Sequence, residues 1–146
     1  MNFEPAKDSE LSEIFGNVHE EWPHSPDRDE HIKLRLASPQ HRHATWFVAK
    51  NDAGIAASLG AYNLPFHLDG AAARGIAIGA VHTVKRERGQ GIAAKLIDFV
   101  NEFYREQNYG ISLLYSDIGE DYYKKLGYRT LPIFHGTIHK KENPQI

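Results

Sequence analysis

The sequence predicts an α/β (α+β) fold: a mixed central sheet that begins as an antiparallel meander, contains one strand–helix–strand crossover and carries flanking helices. Three observations predict it. Apolar residues at helical spacing occupy the first third of the chain. Three β-prone runs joined by short turns fill the middle. A strand, a glycine-bearing turn, a helix and a second strand then follow from Val81 to Tyr115. A length of 146 residues suits one domain over 1–146.

Asp8 to Phe15 opens with capping residues, after which Leu11, Ile14, Phe15 and Val18 recur at helical spacing. Trp22-Pro23-His24-Ser25-Pro26 is a loop. Asp27 to Ala37 is a second helix with a rough apolar face of Ile32, Leu34 and Leu36, stopped by Pro39. Ala44 to Lys50, with Thr45, Trp46, Phe47 and Val48, favours a strand. Asn51 to Gly54 is a turn, Ile55 to Asn63 a second strand, His67 to Gly70 another turn, and Ala72 to Val84 a third strand. Ile92, Leu96, Val100 and Phe103 share one face of a helix that Gly110 ends. Ile111 to Tyr115 is a short buried strand and Gly119 to Leu126 a short helix. Tyr128 to His139 supplies one or two final strands.

Composition excludes several function classes. The formal net charge of −2 gives no overall bias toward nucleic acid or membrane surfaces. The absence of cysteine removes disulfides, thiolate zinc sites and a cysteine nucleophile. The polar start, Met1 to Pro5, lacks an apolar signal core, and no apolar run approaches the ~20 residues that span a bilayer. These features predict a cytoplasmic protein. Nine histidines include His41-x-His43 and His135-x-x-x-His139, but they lack a shared ligand spacing and no H-E-x-x-H occurs, so no metal is expected.

The turn Arg86-Glu87-Arg88-Gly89-Gln90-Gly91 is the most informative segment. A helix start leaves backbone N–H groups unpaired and carries partial positive charge. Glycines let a phosphate approach the backbone, and Arg86 and Arg88 add charge-assisted hydrogen bonds. The chemistry points to a phosphorylated ligand; the plainer alternative is a basic turn that only caps a helix. Gly89, Gly91 and Ala94 mimic a dinucleotide fingerprint, but they follow a meander and two arginines rather than the first strand of a parallel sheet. The G-x-x-x-x-G-K-[ST] phosphate loop is absent.

The run from Ala80 to Ala93 resembles motif A of the GNAT acetyltransferase superfamily, with Thr83 where that family often has proline. Asp121-Tyr122-Tyr123-Lys124-Lys125-Leu126-Gly127-Tyr128 is similar to the end of its motif B. Residue-level matches concentrate in 80–100 and 111–128. The resemblance implies acetyl-CoA as co-substrate. It places the pyrophosphate on the backbone of Arg88, Gly89, Gln90, Gly91 and Ile92, at the helix start that continues through Ala93, with Arg86 beside it. The pantetheine arm would lie along Val81 to Thr83 as an added strand. It further implies that the Val81 N–H stabilises the oxyanion and that Tyr123 protonates the leaving sulfur. For Tyr123 the alternative is a core aromatic, and Tyr122 competes for the outward position. The general base stays open. His82 lies on the reactive strand, and an unperturbed imidazole titrates near the working pH; the alternative is a purely structural histidine. Asp117 and Glu120 flank the short helix, where capping is the commoner job for an acid.

The resemblance implies an N-acetyltransferase acting on a primary amine of a small molecule by direct attack on the thioester. Protein lysine or N-terminal acetylation, and a non-catalytic acyl-CoA-binding regulatory domain, are the alternatives. Leu114 to Glu120 resembles a segment of a branch that includes fungal lysine N-acetyltransferases, and Trp22 fits a loop that often walls the acceptor site. Glu20, Glu21, Asp27, Asp29 and Glu30 surround that loop, either as an acidic rim for a cationic amine or, more simply, as solvated charges. A homodimer through the Ile133 to Ile138 region is compatible with the pattern, and no nucleic acid or membrane partner is expected.

Overall fold

A computed structural model describes residues 1–116 and 118–132. The chain divides into two units, Met1–Tyr115 and Ser116–Ile146.

The first unit holds a five-stranded sheet in the order β1-β2-β3-β4-β5. Strand β1 is Asn2–Pro5, β2 is Thr45–Asn51, β3 is Gly54–Leu68, β4 is Ala71–Thr83 and β5 is Ile111–Leu114. The first four pair antiparallel, and β4 pairs parallel with β5. Helix α4, Ile92–Arg105, makes the crossover. The mixed sheet, the meander, the single crossover and the flanking helices agree with the sequence reading.

Strand β2 shows why the middle of the chain reads as a continuous apolar run. Trp46, Phe47, Val48 and Ala49 are all buried, because both faces of the strand are covered. On one face, Phe47 meets Phe103 and Tyr104 of α4, with ring centroids 5.2 and 5.9 Å away. Ile92, Leu96, Ile97 and Val100 complete that layer. On the other face, Trp46 and Val48 join Ile55 and the buried Ile14 and Phe15 of helix α1, Leu11–Asn17.

Five elements differ from the sequence reading. Strand β1 was not foreseen: it is a four-residue polar edge strand ending in proline, fixed by a ladder to β2 and by the ion pairs of Lys50 with Glu4 and Glu10. Strand β3 runs past Asn63 to Leu68 despite Pro65, and closes on β4 through Asp69 and Gly70. Both have positive φ, 50° and 81°, as a two-residue type I′ hairpin requires. Pro39 does end helix α2, Arg28–Ala37, but it also starts helix α3, Pro39–His43, because its missing N–H costs nothing at a first helical position. In the second unit, Tyr128 to Pro132 form no strand, and the rest of the expected final strand, including Ile133 to Ile138, lies outside the described residues. Helix α5, Glu120–Lys124, is shorter than expected.

The apolar face expected of α2 is also corrected. Leu34 and Leu36 are exposed, while His31 and Arg35 are buried. Residues 31 and 35 are one helical turn apart and share a face; Ile32 and Leu36 are likewise one turn apart, but Leu34 lies on the opposite side of the helix, so the three do not make one face. Asp27 caps this helix by accepting the Glu30 N–H at 2.7 Å.

The face that α2 turns inward is a polar network. His31 accepts the His24 N–H at Nδ1 (3.0 Å), so its Nε2 carries the proton and donates to the Phe15 carbonyl (2.8 Å). Arg35 donates to His41 Nε2 at 2.9 Å and to the Trp22 carbonyl at 3.0 Å. His41 is therefore neutral, with its proton on Nδ1, which is buried without a partner, as is Arg35 Nε. Burial, helped by the Arg35 charge, holds the His41 imidazole at about 4, and burial likewise lowers His24 and His31. Among the described residues, no group of three or more His, Asp or Glu side chains is placed to hold a metal ion, and no helix is long and apolar enough to cross a membrane.

A histidine depressed in the folded state takes up its proton more readily when unfolded, so stability is present above the unfolded value and is lost as pH falls. Chemical denaturation between pH 7 and pH 4 is expected to show stability declining below about pH 6.5, with His41 contributing up to about 3 kcal/mol. The variant H41Q should flatten that dependence. Separately, Asp27→Ala should cost about 1 kcal/mol through loss of the cap, read as a lower denaturation midpoint at neutral pH.

Candidate active site

The candidate site grows out of an interruption in β4. From Gly75 to Ile78 this strand pairs with both neighbours. Beyond Ile78 its pairing is with β3 alone among the described residues. The ladder to β3 also changes step: Ala80 and Val81 together oppose Leu59, between the pairs Gly60–Gly79 and Ser58–His82. This is a β-bulge. Ala80 takes a positive φ of 51°, an uncommon backbone for a residue with a side chain. The bulge takes Val81 out of the regular register just beyond the point where, among the described residues, the pairing of β4 with β5 ends. His82 and Thr83 then resume pairing with Ser58 and Ala57.

The strand leads into the turn. Lys85–Glu87 form one turn of 3₁₀ helix, and α4 begins at Ile92 with Gly91 as its N-cap. Gly89 and Gly91 have φ of 79° and 70°, and space where a side chain would stand is open for at least 4 Å at both. An approaching phosphate would meet bare backbone there. Ile92 is buried and anchors the helix start, and Lys95 N–H makes an early helical bond to the Gly91 carbonyl at 3.2 Å. Glu87 braces the turn, accepting from Asn51 at 3.0 Å and Gln90 at 3.3 Å. Arg86 donates to the Ala53 carbonyl at 3.2 Å.

Arg88 is more heavily engaged than its place in a phosphate turn suggests. Its Nε donates to the Thr83 carbonyl at 2.9 Å and its Nη2 meets Glu21 Oε1 at 2.5 Å. The other carboxylate oxygen of Glu21 lies 3.4 Å from His82 Nε2. Glu21 thus bridges the turn and the strand. His82 is only 6% exposed, and a cavity of about 180 Å³ lies beside it, walled by Asn17, Glu20, Glu21, Lys85 and Arg86. Burial pushes the His82 imidazole below its ordinary value; Glu21 opposes that shift and Arg88 reinforces it. Burial pushes the Glu21 carboxyl up, but the Arg88 hydrogen bond and the His82 charge outweigh it, and the net shift is downward. Trp22 stands edge-on to His82 with ring centroids 6.5 Å apart.

Val81, His82, Thr83, Arg86, Arg88, Gly89, Gln90, Gly91, Ile92 and Ala93 therefore form one continuous strand–turn–helix path. Glu21 is the residue that sequence reasoning undervalued. It stands among five loop acids, and nothing in their spacing shows which one the fold brings to His82. Three of the other acids have partners elsewhere: Glu20 pairs with Lys85, Asp27 caps α2 and Glu30 meets Ser25. In the second unit, Tyr123 is buried on α5, with Tyr122 at 5.0 Å and Tyr128 at 6.2 Å between ring centroids. Tyr122 is partly exposed. Asp117 lies outside the described residues. Glu120 does not cap α5: the N-cap is Gly119, and Glu120 instead meets Lys124 at 2.6 Å and Thr130 at 2.5 Å.

Comparison with known proteins gives concordant results. The sequence model of the acetyltransferase (GNAT) domain matches residues 2–131. Among solved structures, a predicted acetyltransferase of Clostridium acetobutylicum with acetyl-CoA is 18% identical, with a TM-score of 0.73, over 94% of this chain and 95% of that one. Glucosamine-6-phosphate N-acetyltransferase of Arabidopsis thaliana is 15% identical, with a TM-score of 0.71, over 95% and 98%. Aminoglycoside 6'-N-acetyltransferase of Acinetobacter haemolyticus is 16% identical, with a TM-score of 0.69, over 97% and 100%. The curated proteins contain no match. At these identities the structures speak for the fold, and the domain match across most of the chain speaks for the family: this chain belongs to the GNAT family of acetyl-CoA-dependent N-acetyltransferases.

Proposed function

We propose that this chain acts as a single domain over 1–146 that transfers the acetyl group of acetyl-CoA to a primary amine of a small molecule. The observation that carries the reading is the continuous path from the one-sided segment of β4, through a turn with two open glycines, to the start of α4. One end offers strand edge to a peptide-like arm and the other offers helix N–H groups to a pyrophosphate. In this reading Val81 and Thr83 hold the arm. Arg86, Arg88, Gly89, Gln90, Gly91, Ile92 and Ala93 surround the phosphates.

The chemistry assigns each group a task. The neutral amine attacks the thioester carbon, and the C–S electron pair leaves with sulfur. The Val81 N–H, on the bulge of β4, donates to the developing oxyanion, a role commonly worth about 3 kcal/mol. His82 takes the proton released by the amine, and Tyr123 gives its hydroxyl proton to the departing sulfur. A small acceptor is supported by the cavity of about 180 Å³ beside His82, and by the small amines named for the aminoglycoside and glucosamine-6-phosphate enzymes of the same fold. The resemblance of Leu114 to Glu120 to the fungal lysine-acetylating branch makes lysine the first amine to try.

Calorimetric titration with acetyl-CoA is expected to show one donor per chain; absence of binding would remove this reading. The variant G89V should weaken that binding by about tenfold or more, since valine resists φ near 79° and fills the open approach. Tyr123→Phe should lower turnover by about 10²-fold, the low end for a general acid, while leaving donor affinity within about twofold. Unchanged turnover in that variant would take the acid role from Tyr123.

A further inference from the structure

Glu21 touches two groups that the proposed reaction uses for different purposes. Its Oε1 holds Arg88 of the phosphate turn, and its Oε2 faces Nε2 of His82. One carboxylate therefore faces a guanidinium and an imidazole at the same time. While Arg88 stays on Oε1, its charge lies close to His82 and offsets much of what Glu21 offers the imidazole.

We propose that Glu21 is a positioning residue that couples occupancy of the donor turn to the proton affinity of His82, by exchanging its Arg88 contact for a closer one to the imidazole. The inference rests on the donor-site reading given above. Pyrophosphate oxygens at the turn compete with Glu21 for the Arg88 guanidinium, a fork suited to both. As Arg88 turns toward phosphate, Glu21 keeps its negative charge and loses its main partner. It is then free to close the 3.4 Å gap, which is long for a hydrogen bond, and to accept the Nε2 proton of His82. That fixes the proton on Nε2 and leaves the Nδ1 lone pair to receive the proton of the amine. The imidazolium so formed is stabilised by the adjacent carboxylate.

The surroundings leave Glu21 as the controlling group. Glu20 is on the same loop but is paired with Lys85. Lys85 and Arg86 wall the same cavity, with Arg86 committed to the Ala53 carbonyl and Glu87. On β3 the position paired with His82 is Ser58, which carries no charge. Trp22 shields the ring from the loop side. Burial lowers the imidazole's proton affinity, Glu21 raises it and Arg88 lowers it, so moving Arg88 away and Glu21 closer act in the same direction. The base would thus be weakest in the free enzyme and strongest once the acetyl donor is bound.

The test is a proton NMR titration of the His82 imidazole in the intact protein, free and saturated with CoA, in the wild type and in E21Q. The His82 signal is identified by its loss in H82Q. The expected result is an upward shift of the His82 midpoint by about one pH unit on adding CoA to the wild type, with little or no shift in E21Q. E21Q should bind CoA as tightly as the wild type or more so, because Arg88 no longer has to leave a carboxylate. A residue that only holds the loop in place would instead weaken CoA binding on substitution and leave the His82 midpoint insensitive to CoA. A wild-type midpoint unmoved by CoA, or one that moves equally in E21Q, overturns the proposal. If E21Q fails to fold, E21A takes its place in the same comparison, and a wild-type midpoint unmoved by CoA overturns the proposal whatever either variant does. If CoA does not bind the wild type at all, the donor-site reading falls, and this inference falls with it.

Discussion

Strand β4 is paired on both sides from Gly75 to Ile78 and, among the described residues, on one side beyond it, and the rest of the site depends on that change. An isolated stretch of strand edge exposes backbone donors and acceptors that call for partners. Here that edge coincides with the bulge at Ala80 and Val81, so one strand end offers both a pairing edge and a displaced N–H. The turn that follows inherits its position from the same strand. Because α4 is locked to the sheet by Leu96, Ile97 and Val100, its N-terminus is held at a fixed place next to that edge. The positive φ of Ala80 is an uncommon backbone for a residue with a side chain, held at the candidate site by the pairs on either side.

The two faces of the sheet are covered by different chemistry. Helix α4 brings aromatic and aliphatic side chains to Phe47, as in any apolar layer. Helix α2 brings His31 and Arg35, which reach the Phe15 and Trp22 carbonyls and the ring of His41. These bonds fix the loop that carries Glu20, Glu21 and Trp22. Such a network is high in cost unless nearly every group is satisfied, and Arg35 Nε and His41 Nδ1 are exceptions. Its effect is positional: a loop with two prolines is held by hydrogen bonds from α2, and its Glu21 comes to stand beside β4 and the turn before α4.

Much of the fold is written locally and was legible. The alternation and runs of Ile55 to Leu59, the face formed by Ile92, Leu96 and Val100, and the Asn51–Gly54 and Asp69–Gly70 turns each depend on neighbours in sequence. The strand–turn–helix path from Val81 to Ala93 was legible for the same reason, since glycine spacing and flanking arginines are local signals. Strand β1 was not legible, because a short polar edge strand is defined by the strand it joins. The inward face of α2 was misread because apolarity is a poor guide where the buried groups are hydrogen-bonded rather than apolar.

The sequence by itself determined the meander, the crossover helix, the sheet class, the glycine-bearing turn and the family resemblance that this turn carries, because each rests on residues close to one another along the chain. Only the tertiary structure decided which acid meets His82 and where strand β4 loses its second neighbour. Glu21 and His82 are 61 positions apart, and five acids in the same stretch are equivalent until the loop is folded over the sheet. The electric field at a side chain is set by distance in space, and that distance exists only after the α1–α2 loop, β4 and the turn before α4 have been packed together.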